Sequence, residues 1–237
     1  MTSFRYDDAI VEQFPSIVGG VIYGSGVRNG PAPGSLADAF AVEQHAVLTR
    51  IGQTPLSELP SIAAWRRTFA AFGVEPTRYR SAAEALLRRL AKQGALPSLS
   101  LLVDLGNLVS IRYGLPVAMF DQGDVAGGTT VRFASGSERF TDLGTETVDN
   151  PVPGEVVFVD DAGLVSARRW CWRQSAQSAT RDETREILVT VEGLHEAARG
   201  DVEAATADLL ALLAEHCPAA QFENAILTQA SVRTPFG

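Results

Sequence analysis

The spacing of apolar residues changes character near Gly114 and Pro116, and no other feature of the sequence constrains the fold as tightly. Before that point apolar residues recur at three and four positions, the period of a helix that buries one side. Ser61 is placed to cap a helix in which Ile62, Trp65 and Phe69 share a face, and Gly73 ends it. Ser81 with Glu84 forms a capping box, in which hydroxyl and carboxylate satisfy the free amides of a helix start, and Gly94 terminates that helix. Leu101, Leu105, Leu108 and Arg112 recur along a third helix that Gly114 and Pro116 stop. The pattern from Leu36 to Ile51 is also compatible with a helix.

Beyond Pro116 the runs VAMFD, TTVRFA, GEVVFVD, LVSARRWCWRQS and EILVTVEG are short, apolar or alternating, and separated by Gly, Asp and Pro. Ser16 to Val27, rich in Val, Ile and Gly, reads as a buried strand, and DVEAATADLLALLAEHC as a terminal amphipathic helix capped by Asp201. Helices first, then strands with no helix between them, then one helix predict an α+β fold with largely antiparallel sheet. No internal repeat or low-complexity linker interrupts the 237 residues, so one domain over 1–237 is expected.

Charge restricts the partners. The 20 Lys and Arg against 28 Asp and Glu give a formal charge of −8, the wrong balance for coating long nucleic acid. The total nevertheless hides basic stretches. Arg66, Arg67, Arg78, Arg80, Arg88, Arg89 and Lys92 lie between Ser61 and Ser100 with only Glu75 and Glu84 as acids, and Arg168, Arg169, Arg173 and Arg181 cluster later. Either one face meets an anion, or these are solvated faces and internal ion pairs. Two cysteines build no disulfide framework, and no apolar run reaches membrane-spanning length, so a reduced, cytoplasmic protein is expected. His45, His195 and His216 have no metal-ligand spacing, so neither a metal nor a cofactor is expected.

Two segments invite a functional reading. GSGVRNG follows a strand, but PAPG breaks the helix that a phosphate-binding loop needs, which leaves a glycine-rich turn. In RRWCWRQ, strand alternation would put Arg168, Trp170, Trp172 and Gln174 on one face, with Arg169, Cys171 and Arg173 on the other. Tryptophans beside Arg and Gln suit stacking on a ring and binding of an anion. The alternative keeps both tryptophans in the core and pairs the arginines with acids. Cys171 as a nucleophile would need a base and a lowered pKa, neither visible in the sequence.

At LPSLSLLVDLGNLVSIRYGLPVAMFD the chain resembles the B3/B4 domain, the editing module of the bacterial phenylalanyl-tRNA synthetase β subunit. Val103, Asp104, Asn107, Gly114, Pro116, Phe120 and Asp121 stand where that family has its N-x-V-V-D-x-T-N stretch and G-x-P-h-H-A-F-D turn. VVFVDDAGLVSARRWCWRQS, then Thr184 and ILVTVE, are similar to the segments that follow, and Trp65 to Phe69 and Glu75 to Ser81 to the usual upstream signature. The resemblance runs from about Trp65 to about Gly193, with flanking extensions, and is similar to freestanding B3/B4 proteins.

What the resemblance implies is a small sandwich of largely antiparallel sheets with flanking helices, and a pocket for an aminoacyl ester on the tRNA 3′ end. Ala118 stands at a family histidine, and Cys171, Trp172 and Arg173 at a Gly-Gly-Glu segment, so a pocket reading a polar aromatic side chain is not preserved. The implied activity is tRNA editing, as an aminoacyl-tRNA deacylase or a binder of aminoacyl-tRNA ends, with a positioned water and no protein nucleophile. Asn107 and Thr184 would be polar lining, Asp104 an orienting group or a purely structural one that caps or bonds backbone, and Arg168 and Arg173 anion contacts. Ala118, Trp170 and Trp172 would line the pocket, and Arg78 and Arg80 would touch tRNA. The alternatives are a binding module for a free amino acid, and an interaction domain if no pocket of about 300 Å³ lies near Trp170.

Overall fold

The computed structural model describes residues 3–145 and 147–235. In chain order the elements are β1 (Phe4–Tyr6), α1 (Asp8–Gln13), β2 (Val18–Ser25), α2 (Gly34–Ile51), α3 (Pro60–Ala71), α4 (Ala82–Gln93), α5 (Leu101–Tyr113), β3 (Val117–Asp121), β4 (Thr129–Phe133), β5 (Val156–Asp160), β6 (Val165–Arg168), β7 (Arg173–Gln174), β8 (Glu186–Gly193), α6 (Ala198–His216) and β9 (Gln221–Leu227). Among the described residues the strands form two sheets, ordered β1-β4-β5-β6-β7 and β3-β8-β2-β9. All neighbouring strands run antiparallel except β1 with β4. The architecture is the expected α+β one.

Period-two alternation explains how the sheets come to share a core. On β8, Ile187, Val189 and Val191 join the cluster under the helices, while Leu188 joins the cluster between the sheets. From β3, Phe120 enters the inter-sheet core, and Met119 packs on the helix side. Phe4, Tyr6, Val131, Val156, Phe158 and Ala167 supply the facing layer from the other sheet. Burying each large apolar side chain stabilises the fold by about 1.5–3 kcal/mol.

Two adjacent glycines on β2 set the spacing on its opposite faces. A Cβ on Gly20 would lie 1.9 Å from Thr206 Oγ1, so the bare backbone lets α6 dock closely. A Cβ on Gly19 would lie 2.2 Å from the Tyr6 hydroxyl, so the same absence makes room for that phenol on the inner face.

The helix caps partly follow expectation. Ser81 Oγ accepts from the Glu84 amide at 3.3 Å, and Gly94 closes α4 at φ 79°. The Glu84 carboxylate does not complete the box, because Arg66 and Arg88 each reach it at 2.8 Å. Ser61 is not a cap: α3 starts at Pro60, whose fixed φ suits the first helical position, with Leu59 before it. Nor does Asp201 cap α6, which begins at Ala198, and its carboxylate meets His195 Nε2 at 2.8 Å instead.

The larger correction concerns residues 168–174, which do not form one strand. β6 ends at Arg168, and Arg169 and Trp170 adopt φ of 46° and 58° before β7 resumes. The strict face alternation is lost at this turn. Left-handed conformations cost non-glycine residues about 1–3 kcal/mol each, and contacts described below hold both residues in place.

Candidate functional site

The inner face of β8 breaks its own pattern. The alternation that buries Leu188 between the sheets calls for apolar residues at the next two inward positions, and Thr190 and Glu192 stand there. Glu192 is 1% exposed. Its Oε1 accepts a hydrogen bond from the Tyr6 hydroxyl at 2.7 Å and from Trp170 Nε1 at 3.0 Å. Burial pushes its pKa up to about 7, although the hydrogen bonds from Trp170 and Tyr6 pull the other way. Trp170 is thus fixed by its indole N–H as well as by edge contacts with Trp65 at 5.2 Å and Phe14 at 5.3 Å. Those contacts offset the strained turn that delivers it.

A cavity of about 80 Å³ opens against Glu192. Ala118 and Phe120 of β3, Phe158, Ala167, Trp170 and Thr190 are among its walls. Its outer side is formed by Trp172, which is half-buried, and Arg173, which is exposed. Arg169 and Arg173 each lie 4.6 Å from the Trp172 ring centroid, and Arg169 also lies 4.1 Å from that of Tyr79. Arg169 is anchored besides by Glu155 at 2.9 Å. Cys171 lines the same cavity, and burial followed by the nearby Glu192 drives its thiol pKa well above the ordinary value. The thiolate needed of a nucleophile is therefore disfavoured.

Gln174 borders both this cavity and a second space. Its Nε2 donates to the Met119 carbonyl at 2.8 Å and to the Ser178 carbonyl at 2.6 Å, tying β7 to the edge strand β3. Gln174 and Val117 also border a groove of about 270 Å³ that includes Asn107, Gly106 and Val103 of α5. The α5 helix and the tryptophan segment therefore meet, through Gln174.

The residues singled out from the sequence fall into three groups. Ala118, Trp170, Trp172 and Arg173 line the cavity, and Asn107 lines the adjoining groove. Asp104, Arg168 and Thr184 are buried away from both and engaged by their own chain. Asp104 accepts from Ser98 Oγ at 2.5 Å and from the Leu99 amide at 2.9 Å, fixing the entry to α5. Arg168 meets Asp149 at 2.5 Å and Glu155 at 2.8 Å, so its anions are internal. Thr184 donates to Asp121 and accepts from the Arg181 amide at 2.8 Å, at the end of the β3–β8 pair remote from Glu192. Arg78 lies over Tyr79 at 5.1 Å, lining a hollow with Glu75 and Arg169, and Arg80 is 3.8 Å from Glu84. Arg173 is paired with Asp142. Tyr6, Thr190 and Glu192 escaped sequence reasoning, although two polar residues on the inward positions of EILVTVEG were a visible signal.

The size of the enclosure is also a correction. About 80 Å³ beside Trp170 is far below the roughly 300 Å³ of a pocket that swallows a whole ligand. The buried rings of Trp170, Phe120 and Phe158 line it and belong to one packed cluster. By this measure the interaction-domain alternative gains, and the enclosure by itself has room for no more than a side chain.

An α+β sandwich with a small polar-floored cavity between its sheets is thus the class that fold and site define. The family model of the B3/4 domain matches residues 64–218, and the chain belongs to that family. Over 78 residues it is 36% identical to the phenylalanine–tRNA ligase beta subunit of Chromobacterium violaceum, covering 33% of this chain and 10% of that protein. Over 116 residues it is 28% identical to the same subunit of Neisseria gonorrhoeae, covering 49% of this chain and 14% of that protein. The matched part is thus a small fraction of those relatives' own length. An N-terminal fragment of the phenylalanyl-tRNA synthetase beta subunit from Pyrococcus horikoshii superposes with a TM-score of 0.49 at 11% identity, over 95% of this chain and 54% of that one. Among the described residues no helix is long and apolar enough to cross a membrane.

Proposed function

We propose that this chain binds the aminoacyl ester at the 3′ end of tRNA and hydrolyses it. The amino-acid side chain enters the cavity above Glu192, and the ester and ribose lie outside it, toward the groove lined by Asn107. The observation that carries the reading is that the cavity and the groove adjoin, with Gln174 and Val117 bordering both, in a member of the B3/4 family.

The chemistry asks little of the protein. An ester carbonyl is attacked by water, the alcohol of the ribose leaves, and the carboxylic acid is released. Cys171 is held as the neutral thiol, which favours a positioned water over a covalent step. Asn107 can orient the ester or the water through its carboxamide. Arg78 and Arg80, the latter 39% exposed at its side chain, are the proposed tRNA contacts.

The rival reading, a receptor for a free small amino acid, draws support from the internal pairing of Arg168 and Arg173 and from the small cavity. Salt separates the two: tRNA binding weakens steeply as counterions compete, while binding of a zwitterion hardly changes. The direct test is deacylation of a panel of mischarged tRNAs. Acceleration over buffer supports hydrolysis. Salt-insensitive binding of free amino acids without acceleration supports the receptor.

A further inference from the structure

On that reading of the site, we infer that Glu192 and Thr190 select a short amino-acid side chain ending in a hydroxyl, and reject apolar side chains of equal size.

Volume sets the first limit. One water occupies about 10–15 Å³ of such space, so a cavity of about 80 Å³ holds only a handful of non-hydrogen atoms. By that measure an indole with its methylene exceeds the space, and a phenol with its methylene at best fills it. The walls offer no easy expansion, because Phe120, Phe158 and Trp170 are all at most 1% exposed and packed in one cluster.

Polarity sets the second. Both hydrogen bonds to the Glu192 carboxyl fall on Oε1. Oε2 faces no donor among the described residues, yet it is not sealed off from solvent as the buried unpartnered atoms of this chain are. Thr190 stands two positions away on the same face of β8 and lines the same cavity. A methyl group pressed against them would remove water and return no hydrogen bond. Sites built around a buried polar group reject the analogue that lacks the matching group far more strongly than a size difference does. A hydroxyl donates to Oε2 and accepts from the Thr190 hydroxyl.

The support beneath Glu192 is equally specific. Tyr6 reaches it only because Gly19 is bare, and Trp170 only because the chain turns through two left-handed residues. Two separate segments converge to hold one carboxyl oxygen, which leaves the other for a ligand.

The test uses the full chain and non-hydrolysable probes, 3′-aminoacylamino-3′-deoxyadenosines carrying alanyl, seryl, valyl or threonyl groups, titrated by calorimetry. Threonyl should bind at least tenfold more tightly than valyl, and seryl more tightly than alanyl. Glu192→Met should bring the threonyl-to-valyl ratio to within twofold of one. Glu192→Gln, whose amide still accepts from Tyr6 and Trp170 and can hydrogen-bond a hydroxyl, should keep the ratio within about threefold of the parent. If Glu192→Met does not fold, the ratios in the parent and in Glu192→Gln decide. Equal binding of threonyl and valyl probes by the parent overturns the inference and leaves the aminoacyl-ester reading standing. Binding of none of the four probes removes that reading, and this inference with it.

Discussion

Tyr6 and Glu192 are 186 positions apart and joined by a 2.7 Å hydrogen bond at the bottom of the inter-sheet cavity. The bond ties the first strand of one sheet to the central region of the other. It carries the fold's inner spacing and the cavity's polarity at once, so changes at either partner should register in stability as well as in binding.

Glu192 makes stability depend on pH in a defined direction. Its pKa rises from 4.5 to about 7 on folding, chiefly through burial. An acid with a raised folded-state pKa keeps its proton in the native state after the unfolded chain has lost it. Stability is therefore full below about 4.5, falls as pH rises toward 7, and levels off above. The shift corresponds to roughly 3 kcal/mol. Glu192→Gln, which cannot titrate, should flatten that limb, so the difference between the two proteins in urea denaturation midpoint should change across pH 4.5–7. A constant difference would refute the assignment.

Gly19→Ala should destabilise the protein. Its new methyl would lie 2.2 Å from the Tyr6 hydroxyl, and a phenol buried on every side cannot swing away freely. Overpacking of this kind costs about 1–3 kcal/mol, with the Tyr6–Glu192 bond strained besides. An unchanged thermal midpoint would mean that Tyr6 has room to relocate.

Arg168→Met should act on stability and leave ligand discrimination alone. The guanidinium is 3% exposed and held by Glu155 and Asp149, and removing one partner of a buried pair costs about 3–5 kcal/mol. Thr184→Val, which breaks the hydrogen bond with Asp121, should likewise shift the denaturation midpoint and not the ratio of probe affinities. A specific loss of ligand affinity in a stably folded Arg168→Met protein would place that residue in the site.

Arg78→Gln with Arg80→Gln should weaken tRNA binding and flatten its salt dependence. For every phosphate that the variant no longer neutralises, the slope of log affinity against log salt falls by about 0.7–0.9. Glutamine is the useful replacement because Arg80 lies 3.8 Å from the buried Glu84, where a second carboxylate would repel. An unchanged slope would confine both arginines to intrachain roles.

Much of this fold was legible from periodicity. Capped α4, the helix ending at Gly114 and the strand EILVTVEG follow from local rules that tertiary packing did not overturn. The turn at Arg169 and Trp170 was not legible, because neither residue favours positive φ and the forces that hold it come from Glu155, Tyr79, Trp65 and Glu192, distant in sequence. Helix α6 began early because Asp201, a good cap in isolation, is drawn to His195. Likewise Arg168, Asp104 and Thr184 are residue types that serve sites and scaffolds alike, and only their partners separate the roles. Glu192 was hidden for the opposite reason: an acid inside an apolar strand looks like an exposed position until the opposing sheet is placed over it.

On the proposed reading the cavity over Glu192 receives the side chain of an ester-linked amino acid. Initial rates of deacylation on a panel of mischarged tRNAs, measured for the parent and for Ala118→Leu, test it most directly. Ala118 is a cavity wall, and leucine there fills the space without touching Glu192's supporting bonds. Acceleration is expected on at least one ester, with seryl or threonyl esters foremost, together with its loss in Ala118→Leu. No acceleration on any ester, or equal rates in the two proteins, would contradict it.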